Sequence, residues 1–228
     1  MTPLERLLEQ ASTATLLIEE MGTQLPRIYR DLQGSLVDQH ARVFHEFPDL
    51  LKGGRCVVEV GPGNGCFLAL LRECGNIVLG IEQEKPAPVL ASNVARATKQ
   101  QIAAYAKLTV FWGLDVRQWG FNHYIQRAPD PFPLPAGSVD LFYFSRSLDG
   151  VLLHFQEDVS GAIQRLLQVC GTALRPGGQI WIQHNSEPPL EKALSAFQVH
   201  TQPPLYLNQR YIMVKGNPTE AITQVVKV

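Results

Sequence analysis

Between Glu59 and Gly65 the chain reads Glu-Val-Gly-Pro-Gly-Asn-Gly. An apolar run, Cys56–Val60, precedes it, and Cys66–Glu73, with Phe67, Leu68, Leu70 and Leu71 at helical spacing, follows. A strand that ends in alternating glycines and passes straight into a helix permits few folds. Glycine reaches left-handed backbone angles at little cost and lets a ligand approach bare main chain. In a parallel sheet covered by helices, such a turn lies at the carboxyl ends of the strands, where ligands bind.

The segments around the loop agree with that setting. Ile77–Ile81, Leu108–Trp112, Val139–Phe144, Gln179–Gln183 and Tyr211–Val214 read as strands, and Ala87–Ala106 and Val159–Ala173 as helices. Short apolar runs alternating with helices predict an α/β domain with a parallel sheet buried on both faces. The first 50 residues differ. Thr2-Pro3-Leu4-Glu5 has the spacing of a capping box, Leu4, Leu7, Leu8 and Ala11 form an apolar stripe, and Ser35 is the expected cap of a helix carrying Leu36, Val37, Val43 and Phe44. Residues 1–50 are too few for a core of their own and are expected to form a helical lid on the domain spanning 51–228.

Two acids follow the loop in register with the strands. Glu82 ends the second strand, where a carboxylate suits the hydroxyls of a ribose. Asp115, just past the expected third strand, is placed to accept a hydrogen bond from an exocyclic amine such as that of adenine. The dinucleotide fingerprint is Gly-x-Gly-x-x-Gly, whereas this chain has Gly-x-Gly-x-Gly with an acid two residues before it.

That variant resembles motif I of the Rossmann-like (class I) S-adenosylmethionine-dependent methyltransferases. Phe132–Leu141 is similar to the segment leading into that family's fourth strand, and Leu174-Arg175-Pro176-Gly177-Gly178 to the turn before its fifth; the likeness covers about residues 54–183. The resemblance implies a doubly wound, mostly parallel seven-stranded sheet with helices on both faces and S-adenosyl-L-methionine as cofactor. It implies Glu59 at the methionine amino group, Gly61, Gly63 and Gly65 along the carboxylate side, and Glu82 on the ribose. Gln83 and Val116 would pack against adenine, Asp115 would contact it, and Ser145 would face the methionine moiety.

Methyl transfer from a sulfonium is an in-line displacement whose thioether leaving group needs no acid. Alignment of the reactants can supply roughly 7–11 kcal/mol of the barrier, and a base helps where the nucleophile loses a proton. Candidates after the fourth strand are His154 as base, because it titrates near neutral pH, and Asp149, which could orient a cationic nitrogen; Tyr29 in the lid is a third. Arg146 could pair with an anionic acceptor group. His123, His184 and His200 stand isolated, and the four cysteines include no Cys-x-x-Cys pair, so no metal site is expected.

Twenty Lys and Arg against 21 Asp and Glu leave a net charge of −1, which speaks against a polyanion binder. No apolar run approaches the ~18 residues of a membrane span and the N-terminus lacks a signal-peptide pattern, so a cytoplasmic protein is expected. The Asn/Asp-Pro-Pro-aromatic signature of DNA amino-methylating enzymes and the Pro-Cys dipeptide of cytosine-C5 enzymes are absent. The expected acceptor is a small molecule, with neither DNA nor membrane as partner and a homodimer left open. Arg117–Pro135, with Trp119, Phe121, His123, Tyr124 and Phe132, is expected to wall the acceptor pocket. Two other readings stay open: a protein or RNA acceptor reached through a partner subunit, and a catalytically silent cofactor-binding subunit.

Overall fold

Capping chemistry sets the first helices. A computed structural model describes residues 1–20, 31–83, 92–128, 132–145, 147–152, 154–155, 158–185, 205–214 and 217–227; for 18–20, 92–98, 149–150, 184–185 and everything from 205 onward it describes the backbone alone. Helix α1 (Pro3–Glu20) starts on its capping box: the Glu5 N–H donates to Thr2 Oγ1 at 3.2 Å, and the Thr2 N–H to Glu5 Oε2 at 2.7 Å. Helix α2 (Leu32–Glu46) begins before Ser35 because Asp31 is its cap, its Oδ1 accepting from the Gly34 N–H at 2.8 Å. Leu7, Ala11 and Ala14 of α1 and Leu32, Leu36 and Val43 of α2 are fully buried.

From Cys56 to Ser145 strands and helices alternate. The order is β1 (Cys56–Val60), α3 (Cys66–Glu73), β2 (Ile77–Ile81), α4 (Ser92–Phe111), β3 (Val116–Arg117), α5 (Phe121–Arg127) and β4 (Val139–Ser145). Then come α6 (Leu148–Leu152), α7 (Val159–Ala173), β5 (Leu174–Asn185), β6 (Leu205–Val214) and β7 (Asn217–Lys227). This is an α/β fold with parallel strand pairing. The expected third strand at Leu108–Trp112 is instead the end of α4. Ala104, Leu108 and Trp112 recur every four residues and are buried, while Val110, which an alternating strand would bury with them, is 77% exposed. The third strand is the short pair Val116–Arg117. Strand β5 takes in the turn expected before it, β6 starts six residues ahead of Tyr211, and β7 was not foreseen.

The chain divides into two compact units. The first holds Met1–Val57, Pro62–Pro86 and Leu90–Gln118. In it the strand order is β3-β2-β1, with β2 and β3 parallel and Gly80 opposite Val116. Helix α1 packs on α2, α3 and α4, and α2 packs on α3. Asn76 closes this unit from within: its Nδ2 donates to the Leu50 and Leu71 carbonyls at 2.7 and 2.9 Å, and its Oδ1 accepts from the Arg55 N–H at 3.1 Å.

The second unit holds Val58–Gly61, Ala87–Val89 and Trp119–Val228, so β1 gives its first two residues to one unit and its last three to the other. Here the order is β1-β4-β5-β7-β6. Strands β4 and β5 are parallel, with Phe144 opposite Ile182 and Ser145 opposite Gln183, and β7 is antiparallel to both β5 and β6. The aromatic segment expected as a pocket wall turns inward. Phe121 and Phe132 are each 3% exposed, and Phe132 meets Trp119, Phe121, Tyr124 and Phe142 edge to face, with ring centroids 4.8–6.3 Å apart. Such edge-on contacts suit the ring quadrupoles and build a core. No described helix is long and apolar enough to cross a membrane.

Candidate cofactor site

The loop after β1 is built on left-handed glycines. Gly61, Gly63 and Gly65 have φ of 72°, 53° and 74°. At Gly65, the cap of α3, the left-handed angle favours glycine, and an added Cβ would also stand 2.9 Å from Leu114 Cδ1. At Gly63 an added Cβ would meet nothing within 4 Å: here the main chain is bare and open, beside the N-terminus of α3. That end of a helix favours anionic groups. Asn64 ties the loop down. Its Oδ1 accepts from the Cys66 N–H at 3.1 Å, its Nδ2 donates to Ser35 Oγ at 3.3 Å, and its carbonyl accepts from Trp112 Nε1 at 2.9 Å.

In the first unit the loop, β2 and β3 meet at Gly80. An added Cβ there would lie 2.7 Å from Val116 Cγ2 and 3.1 Å from Pro62 Cγ. Gly80 stands two residues before Glu82, at the carboxyl end of β2, whereas Asp115 comes just before β3 and not past the third strand as expected, because the chain is still leaving α4 where that strand was read. Backbone bonds fix the register, the Gly80 N–H donating to the Asp115 carbonyl at 2.8 Å and the Glu82 N–H to that of Arg117 at 2.9 Å. Among the described residues only the Gln83 N–H reaches the Glu82 carboxyl, at 2.8 Å on Oε1. Burial raises that carboxyl from 4.5 to about 7, the Gln83 N–H offsetting only part of the penalty. Half-buried Gln83 thus holds Glu82, and Val116 packs on β2. Asp115 is exposed and already paired, its Oδ2 3.0 Å from Arg117 Nη2.

The second unit carries Glu59, buried at 3% exposure two residues before Gly61. Ser147 fills the space a side chain at Gly61 would need, 2.6 Å from the ideal Cβ, and its Oγ donates to the Val60 carbonyl. At the end of β4 the Ser145 hydroxyl donates to Gln183 Oε1 at 3.4 Å, and buried Tyr143 donates to the same oxygen at 3.0 Å. His154, half-buried beyond α6, is pushed below its usual 6.5 first by burial and then by the charge of His123. His123 is therefore not isolated: its helix α5 packs on α6. Asp149 lies in α6, its side chain outside the described residues, and Tyr29 and Arg146 lie outside them altogether. Among the residues searched, no group of three His, Cys, Asp or Glu could hold a metal ion.

No protein-family model and no curated protein matches the chain. Solved structures do. A SAM-dependent methyltransferase from Archaeoglobus fulgidus, 14% identical, is similar over 84% of this chain and 93% of its own, with a TM-score of 0.52. Another from Aquifex aeolicus, also 14% identical, covers 82% and 93% with a TM-score of 0.50. An rRNA methylase from Streptococcus thermophilus, at 14% identity, covers 82% and 97% with the same score. This is the fold of the S-adenosylmethionine-dependent methyltransferases. In the first unit, Asn64 and Trp112 join the residues singled out by sequence. The first had a signal, since it stands between two of the loop glycines; Trp112 is brought to it by packing across 48 residues.

Proposed function

We propose that this chain is an S-adenosylmethionine-dependent methyltransferase acting on an oxygen or nitrogen nucleophile of a small molecule. The observation that supports it most is the meeting of Pro62, Gly80 and Val116, which sets the glycine loop against the strand that ends in Glu82. These groups fit the cofactor: bare main chain at a helix N-terminus for a carboxylate, and a desolvated acid for a pair of hydroxyls. In this reading Glu59 takes the amino group, Gly61, Gly63 and Gly65 the carboxylate side, and Glu82 the ribose. Gln83 and Val116 flank the adenine, Asp115 accepts from its amine by giving up part of its pairing with Arg117, and Ser145 faces the methionine chain.

When bound, S-adenosylmethionine supplies an electrophilic methyl group on a sulfonium. The protein's part is to orient and to move one proton. His154, held neutral at pH 7 by its surroundings, accepts that proton from the acceptor hydroxyl or ammonium. Asp149 orients a cationic acceptor nitrogen, Tyr29 is a third candidate for the acceptor within the capping segment 1–50, and 51–228 holds the cofactor. Calorimetry with S-adenosylmethionine and with its demethylated product tests the reading, followed by transfer of labelled methyl to a panel of small amines, phenols and carboxylates. Heat from both ligands, with weaker binding in Glu82→Gln, is expected; no heat from either would defeat it. Binding with no transfer to any of the panel, but transfer to RNA or protein in an extract, would redirect the acceptor.

A further inference from the structure

Asn64 is engaged through its carbonyl and through both polar atoms of its side chain, and two of the three contacts come from far along the chain. From one side Ser35 of α2 accepts from Nδ2 at 3.3 Å; from another the buried Trp112 indole donates to the carbonyl at 2.9 Å. Each anchor is itself held. The start of α2 lies against α3, with Cys66 Sγ 3.9 Å from the Leu32 carbonyl. The turn bearing Trp112 is held by Arg72, which donates to the Trp112 carbonyl and, at 3.0 Å, to that of Gly113; Arg72 in turn pairs with Glu73, and Glu73 with Arg6 of α1.

We infer that Ser35 and Trp112 are positioning residues for the glycine loop, so that the N-terminal helices set cofactor affinity and not only acceptor access. The inference rests on the cofactor reading for its functional consequence, while the coupling itself concerns the free protein. A left-handed, side-chain-poor loop has little of its own to define it. Its shape must come from neighbours, and Asn64 is where they attach. Releasing Nδ2 leaves the Asn64 side chain held by Oδ1 alone and loosens the bond that orders the Cys66 N–H at the start of α3.

The test compares Ser35→Ala, Ser35→Thr and Trp112→Phe with the wild type, by amide hydrogen exchange of the free protein and by S-adenosylmethionine calorimetry. Alanine is a better helix former than serine, so Ser35→Ala should keep the melting temperature. It should nonetheless speed exchange at Gly65 and Cys66 several-fold and weaken cofactor binding about tenfold, the worth of one hydrogen bond. Threonine, which keeps the hydroxyl, should restore both, and Trp112→Phe should reproduce the exchange effect. Unchanged exchange and affinity in Ser35→Ala would overturn the coupling while leaving the cofactor reading intact. Faster exchange in a protein whose wild type takes up no S-adenosylmethionine would uphold the coupling and sink the cofactor reading.

Discussion

Replacing Glu82 by Gln separates the role of this position in folding from its role in binding. Glu82 and Gln have nearly the same shape, and either side-chain oxygen can accept from the Gln83 N–H. Only the charge differs. The carboxyl titrates near its ordinary 4.5 in the unfolded chain and at about 7 in the folded one, because burial penalises the ionised form. For an acid raised in this way the penalty is absent below 4.5, grows between 4.5 and 7, and is complete above 7. At about 1.4 kcal/mol per pH unit that window amounts to at most about 3 kcal/mol of stability. Urea unfolding of the two proteins at pH 4.5 and at pH 8.5 measures it. The midpoints should coincide at the lower pH, and the variant should be the more stable by about 2–3 kcal/mol at the higher. Cofactor binding should move the other way, since ribose hydroxyls donate best to a carboxylate: wild-type affinity should strengthen as pH rises through 7, and the Gln variant should bind at least tenfold more weakly at pH 8.5. A stability difference that does not change with pH would refute the burial argument.

Three further outcomes follow from the geometry. Gly63→Ala should fold with a loss of about 1–2 kcal/mol from its left-handed backbone, read by thermal unfolding; because its Cβ points into open space, the larger effect should be on S-adenosylmethionine affinity, read by calorimetry. His154→Ala should lower kcat about 100-fold or more while leaving cofactor Kd unchanged; with the imidazole's pKa depressed, the acid limb of the wild-type kcat profile should have its midpoint below pH 6.5, and an unaltered rate in the variant would remove His154 as base. Asp158→Ala should destabilise the protein by about 1 kcal/mol in urea unfolding, because its Oδ1 caps α7 by accepting from the Gly161 N–H at 3.0 Å.

The parts of this molecule that depend on neighbours in sequence were readable from it. Cys56–Val60, Cys66–Glu73, Ile77–Ile81 and Val159–Ala173 end where apolar spacing and glycine put their ends. Leu108–Trp112 misled because Thr109 and Val110 are good strand residues, while the spacing that decides the matter reaches back to Ala104. The candidate site divides the same way. Glycine backbone angles and the position of Glu82 after β2 are local facts. The Ser35–Asn64 and Trp112–Asn64 bonds join residues 29 and 48 apart, and the influence of His123 on His154 passes from helix α5 to the turn after α6. Nor could the sequence show that Asp115 spends its charge on Arg117, since both residues suit a solvated strand end.

Gly80 has a last implication for how the protein could be changed. Strand β2 keys the loop to the sheet through a notch one methyl deep, into which Pro62 and Val116 both lean. A notch tolerates change in one direction only: trimming Val116 would leave slack, whereas any growth at residue 80 would lever the loop and the third strand apart together. Redesign of this protein for a bulkier cofactor analogue would therefore do better to begin at Val116 than anywhere in the glycine loop itself.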